Sequence, residues 1–182
     1  MRTPGTTAVW LSMLCAVGLQ AQQYTKGGEL LMPNDYRSWT FLTSGFGMTY
    51  PQEGPATGKP MFGNVFVQPF ANQDFLKTGV WPDKTIVMIE VRDAGHNASV
   101  NKDGRFQTDI MGFEFHVKDA SHGGWQFYFI PKDKPSGKAF PATADCFTCH
   151  AQHGAADTTF VQYYPTLIEA AKKNGTYKAP KE

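Results

Sequence analysis

Alternation between apolar and polar positions marks several strands along the chain. Asn64-Val65-Phe66-Val67-Gln68 alternates as a short strand after the loop Gly54–Pro60. Thr85-Ile86-Val87-Met88-Ile89-Glu90-Val91 is β-branched and apolar on both faces, as a central strand should be. Phe113, Phe115 and Val117 alternate with Glu114, His116 and Lys118, giving one apolar and one ionisable face. Trp125-Gln126-Phe127-Tyr128-Phe129-Ile130 repeats the pattern after a turn at Gly123-Gly124. The stretch before Phe113, with Asp103-Gly104 and Gly112, reads as turn-like or bulged. Helical signals are fewer. Pro69 opens a short helix over Phe70–Lys77 that Gly79 stops. After residue 144, Asp157 is placed to cap a helix in which Phe160, Tyr163, Tyr164, Leu167, Ile168 and Ala171 follow helical spacing, ending at Asn174-Gly175. Pro165 lies inside that pattern and predicts a kink or a restart. The expected class is α+β: an antiparallel β-sheet with short helices and a C-terminal helical segment.

At 182 residues, 41% hydrophobic and 14% aromatic, the chain suffices for one domain with a real core. A net charge of +1 supplies no basic field to gather nucleic acid. Eighteen glycines and 12 prolines suit a turn-rich fold rather than a helical bundle. Residues 1–21 read as an export signal: Arg2, the apolar run from Ala8 to Leu19, and Gln20-Ala21 before a polar stretch. The run is too short to span a bilayer. The expected domain is therefore 22–182, in the periplasm, with Cys15 discarded and two of the three cysteines retained.

Those two stand in Cys146-Phe147-Thr148-Cys149-His150, the attachment signature of a c-type haem. On one helical turn, residues three and four apart share a face, so both thiols reach the haem vinyl groups while His150 addresses the iron. By average composition, a chance match in a chain this long arises roughly once in a thousand sequences. A zinc site would need further paired ligands, and His96, His116, His122 and His153 are scattered. A thioredoxin-like dithiol would sit early in a βαβ unit, whereas this motif is late and follows antiparallel strands. A plain disulfide explains the cysteines but not the adjoining histidine. The sixth iron position divides function: Met61, Met88, Met111, His116 and His153 are candidate ligands, and an empty position would admit a small molecule. Each candidate also has a plainer place, Met88 in the core, Met61 and Met111 beside loops, His153 on the His150 side and His116 solvated or hydrogen-bonded on a polar strand face.

The order of elements resembles the cytochrome P-460 family, which includes the cytochromes c′-β. The resemblance rests on Gly28–Pro33 with Tyr36-Arg37 and Trp39, Asn64–Val67 with Pro69, Phe75 through Thr78–Asp83, Asp109–Asp119, and the cysteine motif followed by Phe160–Pro165. It implies a homodimeric, sheet-rich cytochrome with one covalent haem c, His150 as proximal ligand, and a distal side open to small nitrogen species. Members that oxidise hydroxylamine carry a haem-cross-linking lysine just before the strand glutamate. Ile89 occupies that position here and cannot form the bond. Lys84, five residues away, lies roughly 17 Å along an extended strand and on the opposite face. Glu114 matches a carboxylate that such enzymes place near the distal side, where it could relay protons. The resemblance thus supports a protein that binds nitric oxide or a similar diatomic, transfers electrons, or both, under an aromatic wall drawn from Phe46, Phe62 and Phe66. The competing reading is an oxidoreductase acting on hydroxylamine or nitric oxide through Glu114. The redox partner is not specified by either.

Overall fold

The computed structural model describes residues 23–48 and 58–179, so the expected export signal and most of the Gly54–Pro60 loop lie outside the described residues. The chain begins with a two-residue strand β1 (Leu30–Leu31) and a short 3-10 turn at Tyr36–Ser38. Then come β2 (Thr40–Phe46), β3 (Phe62–Val67), helix α1 (Pro69–Thr78), β4 (Ile86–Gly95), β5 (Phe106–Asp119), β6 (Gly124–Pro131) and the two-residue β7 (Ser136–Gly137). Helices α2 (Asp145–His153) and α3 (Pro165–Lys173) follow, separated by a 3-10 turn at Val161–Tyr163. The five long strands form one antiparallel meander in the order β2-β3-β4-β5-β6, and β1 pairs with β7 beside it. The α+β expectation holds. Among the described residues, no helix is long and apolar enough to cross a membrane.

Local chemistry explains the boundaries. Pro69 pre-sets the first turn of α1, and Gly79 ends it in the left-handed region at φ 71°, with its N–H bonded to the Phe75 carbonyl. β4 is apolar on both faces because both are covered. Val87 joins a cluster with Val65, Val67, Phe75, Trp81 and Leu167 under α1 and α3. Met88 joins another with Leu30, Tyr36, Trp39, Phe115 and Ile130 on the opposite face.

One expectation is borne out in part, one strand carried no sequence signal, and one helix is corrected. The stretch before Phe113 is strand from Phe106 onward, and its irregularity takes the form of register shifts against β4 around Arg92. β2 was not legible, because Thr40–Phe46 alternates weakly and carries Gly45. Asp157 does not cap a helix: it has φ 46° in a tight turn, Phe160, Tyr163 and Tyr164 lie outside any α-helix, and the helix starts at Pro165. The restart at the proline is thus the outcome, since Pro165 has no N–H to continue a preceding turn.

Candidate functional site

The even-numbered side chains of β5 and the odd-numbered ones of β4 and β6 share one sheet face. The pairings Val87 with His116, Ile89 with Glu114, His116 with Phe127 and Glu114 with Phe129 fix this. The motif helix α2 lies across that face. Between them is a cavity of about 580 Å³ lined by Val87, Ile89, Glu114, His116, Phe127, Phe129 and Phe140 from the sheet side and by Cys146, Cys149, His150, His153, Phe160 and Tyr164 from the other. Its volume falls in the range of ~300–1,000 Å³ usual for cofactor-sized ligands. The five residues singled out from sequence, Ile89, Glu114, Cys146, Cys149 and His150, therefore all border one space.

Residue spacing on α2 creates this arrangement. Cys146, Cys149 and His150 stand at i, i+3 and i+4 and face the cavity together. Both thiols are free. Burial and the neighbouring Cys146 push the Cys149 thiol up, so it stays protonated in the absence of a reacting partner. The His150 imidazole is caged by rings, with centroids at 4.5 Å for His116, 4.6 Å for Phe127 and 4.3 Å for Phe160. Its Nδ1 lies 2.8 Å from the Thr158 carbonyl oxygen. A carbonyl can only accept, so Nδ1 carries the proton and Nε2 keeps its lone pair for a metal. Burial also lowers the His150 pKa, which keeps the ring neutral as ligation requires. Among the described residues, no group of three or more His, Cys, Asp or Glu side chains is placed to hold a metal ion.

These observations test the residues against a haem, and they fit. A largely apolar space fronts two thiols and an imidazole whose outer nitrogen is already committed to a backbone acceptor.

The candidate sixth ligands separate clearly. Met88 is fully buried on the opposite sheet face, while Met61 and Met111 are exposed and do not line the cavity. His153 lines it from α2, the same side as His150. His116 is not solvated. It is 6% exposed, stacks on Phe127 at 4.3 Å and on Trp125 at 4.0 Å, and its Nε2 has no hydrogen-bond partner. Its ring touches the His150 ring edge-on. Rings in contact leave no room for a planar cofactor between them, so His116 stands with His150 and would not oppose it at a bound iron. The strand face read as ionisable is therefore interior at His116, while Glu114 keeps accessible surface and Lys118 is partly covered.

Glu114 keeps accessible surface and borders the cavity, and burial raises its carboxyl above the ordinary range. The wall proposed from Phe46, Phe62 and Phe66 is corrected. Phe66 pairs with Met88 and packs in the opposite cluster, and Phe46 and Phe62 stack on each other at 4.7 Å away from the cavity. Phe127, Phe129, Phe140 and Phe160 supply the aromatic lining instead. The alternation of Phe127 and Phe129 was visible in sequence. That their face, rather than the Phe66 face, meets α2 was not. Lys84 is remote from Ile89 and pairs with Asp119.

The family model for Cytochrome P460 matches residues 33–161, well over half of the chain and including the whole five-stranded sheet and the cysteine motif. No curated protein matches the chain.

Proposed function

The chain belongs to the cytochrome P460 family and binds haem, and from that premise we propose that it is an exported mono-haem c-type cytochrome that takes a small uncharged ligand such as nitric oxide at the iron, transfers electrons, or both. The supporting observation is the single helical face bearing Cys146, Cys149 and His150 above an apolar cavity, with His150 Nδ1 held by the Thr158 carbonyl. Cys146 and Cys149 would hold the haem by thioethers, and His150 Nε2 would be the proximal ligand. A bound haem would supply the redox change and the iron to which a small ligand binds. The chain supplies the rest. Thr158 fixes the His150 tautomer, and Val87, Ile89 and Phe129 keep the sheet side of the cavity apolar, which disfavours water relative to a small neutral molecule. Desolvation at the cavity mouth raises the Glu114 carboxyl above its ordinary range, which would favour its protonated form there. Homodimerisation and a periplasmic location belong to the same proposal.

The alternative is an oxidoreductase for hydroxylamine or nitric oxide with Glu114 as the proton relay. The raised Glu114 carboxyl favours it, and Ile89 in place of a cross-linking lysine disfavours it. Optical spectra of the oxidised and reduced holoprotein decide. A high-spin spectrum without the red shift of a cross-linked haem, and no hydroxylamine-dependent dye reduction, is expected. Dye reduction would favour the enzyme, and a six-coordinate low-spin spectrum in both states would leave a plain electron carrier. No haem retained after denaturation would sink covalent attachment.

A further inference from the structure

The carbonyl that receives His150 belongs to an unusual turn. Ala156 and Thr159 bridge each other, with Thr159 N–H donating to the Ala156 carbonyl at 2.8 Å and the reciprocal bond at 3.3 Å. The two residues between them, Asp157 and Thr158, have φ of 46° and 56°. A two-residue hairpin turn with both central residues left-handed ordinarily uses Asn-Gly or Asp-Gly. Aspartate tolerates that conformation, but a β-branched threonine at the glycine position is an outlier. The Thr158 hydroxyl does not compensate, since its buried Oγ1 has no hydrogen-bond partner. Such strain persists only where surrounding contacts over-determine it.

Those contacts converge on the Asp157 carboxylate. Oδ2 accepts from Lys118 Nζ at 2.7 Å and from the Trp81 backbone N–H at 3.3 Å, and Oδ1 accepts from Trp125 Nε1 at 3.2 Å. Lys118 also donates to the Trp81 carbonyl at 2.7 Å, tying the β5 end to the segment before β4. Thr159 Oγ1 accepts from Trp81 Nε1 at 2.8 Å and anchors the other side of the turn. Two strands of the sheet, β5 and β6, and the segment before β4 thus grip a turn that is locally unfavourable, and what the turn presents is the Thr158 carbonyl, 2.8 Å from His150 Nδ1.

We propose that Asp157, clamped by Lys118 and Trp125, is a positioning residue that holds the strained turn so that the Thr158 carbonyl sets the donor strength of His150 Nε2 toward the haem iron. This rests on the haem reading above. A hydrogen bond accepted from Nδ1–H gives the ring imidazolate character, strengthens Nε2 as a donor and stabilises the ferric state. Lys118 therefore tunes the iron from the β5 face that carries His116 and Glu114, without touching the cavity.

The test compares exported, haem-loaded wild type with Lys118→Met, Lys118→Arg, Asp157→Ala and Trp125→Phe by haemochrome content, reduction potential and the iron–histidine stretching band of the ferrous form. Lys118→Met and Asp157→Ala are expected to keep haem, raise the potential and lower the stretching frequency. Trp125→Phe should do so more weakly, and Lys118→Arg should stay near wild type. A merely structural clamp would change stability and leave the band unmoved. Haem-loaded Lys118→Met with wild-type potential and band would overturn the inference alone, and decides even if Asp157→Ala does not accumulate. A wild-type chain without haem would overturn the haem reading and this inference together.

Discussion

Glu90 has no exposed side-chain surface, yet it lies among cations on the sheet face opposite the cavity. Arg92 Nε donates to it at 2.5 Å, Tyr36 Oη at 2.7 Å, and Arg37 pairs with it from the surface. Burial alone would raise its pKa. The bonds from Arg92 and Tyr36 and the charge of Arg37 reverse this and hold it below the ordinary value. The same contact, with burial leading, pushes the Tyr36 phenol up to about 12. Because the folded value of Glu90 lies below the unfolded one near 4.3, its stabilisation is complete above about pH 4.3 and is lost as the pH falls through the folded value. Glu90→Gln is expected to lower stability at pH 7 by roughly 3 kcal/mol, the low end for a broken buried pair because half-exposed Arg37 can rehydrate. It should also flatten the acid limb of the stability curve, both read by urea unfolding between pH 3 and 7. An unchanged acid limb would show that Glu90 does not titrate in this range. Glu90 was legible in sequence only as the residue after Ile89; Arg92 stands two residues on along the same strand, but the burial of Glu90 depends on Tyr36 and Arg37 arriving from the 3-10 turn before β2.

Helix α2 buries no residue completely, so its place depends on its end. Gly154 closes it with its N–H on the His150 carbonyl at 3.0 Å, and the chain then doubles back into the Asp157 turn. A Cβ built on Gly154 would lie 2.6 Å from the His150 carbonyl oxygen and 2.6 Å from the Thr158 carbonyl carbon. Both are backbone atoms, and they belong to the two residues whose hydrogen bond orients the imidazole. Gly154→Ala is therefore expected to cost about 1–3 kcal/mol as overpacking and to reduce haem incorporation. Thermal unfolding and haemochrome content measure these, and a variant that matches wild type in both would show that the turn yields freely. At this scale the strand cores of β3 to β6 and the whole of α1 were legible, since their patterns agree with local propensity. The segment 157–164 was misread because its apolar residues keep helical spacing while Asp157 and Thr158 are held left-handed by distant side chains.

Across the whole molecule, the meander leaves β2 as one edge strand, with Phe41 53% exposed and Phe46 42% exposed, and with exposed Met48 and Met61 beside them. An apolar edge of this kind, exposed among the described residues, is where the proposed homodimer would place a second copy of the same edge. Light scattering at micromolar concentration should give twice the monomer mass, and Phe41→Glu with Phe46→Glu should give the monomer with an unaltered haem spectrum. A wild-type chain at monomer mass would remove the dimer from the proposal. The sequence by itself determined the chemistry that is local: the cysteine pair and histidine on one helical face, the strands with strict alternation, the helix stop at Gly79 and the helix start at Pro165. Spacing along a chain encodes which side chains share a face, because helix and strand periods are fixed by backbone geometry. The tertiary structure alone decided which face is interior. It turned the ionisable side of β5 inward at His116, moved the aromatic lining from Phe66 to Phe127 and Phe129, placed His116 against His150, and brought Lys118 to Asp157. Strand alternation is symmetric between its two faces, and only the packing of elements distant in sequence breaks that symmetry.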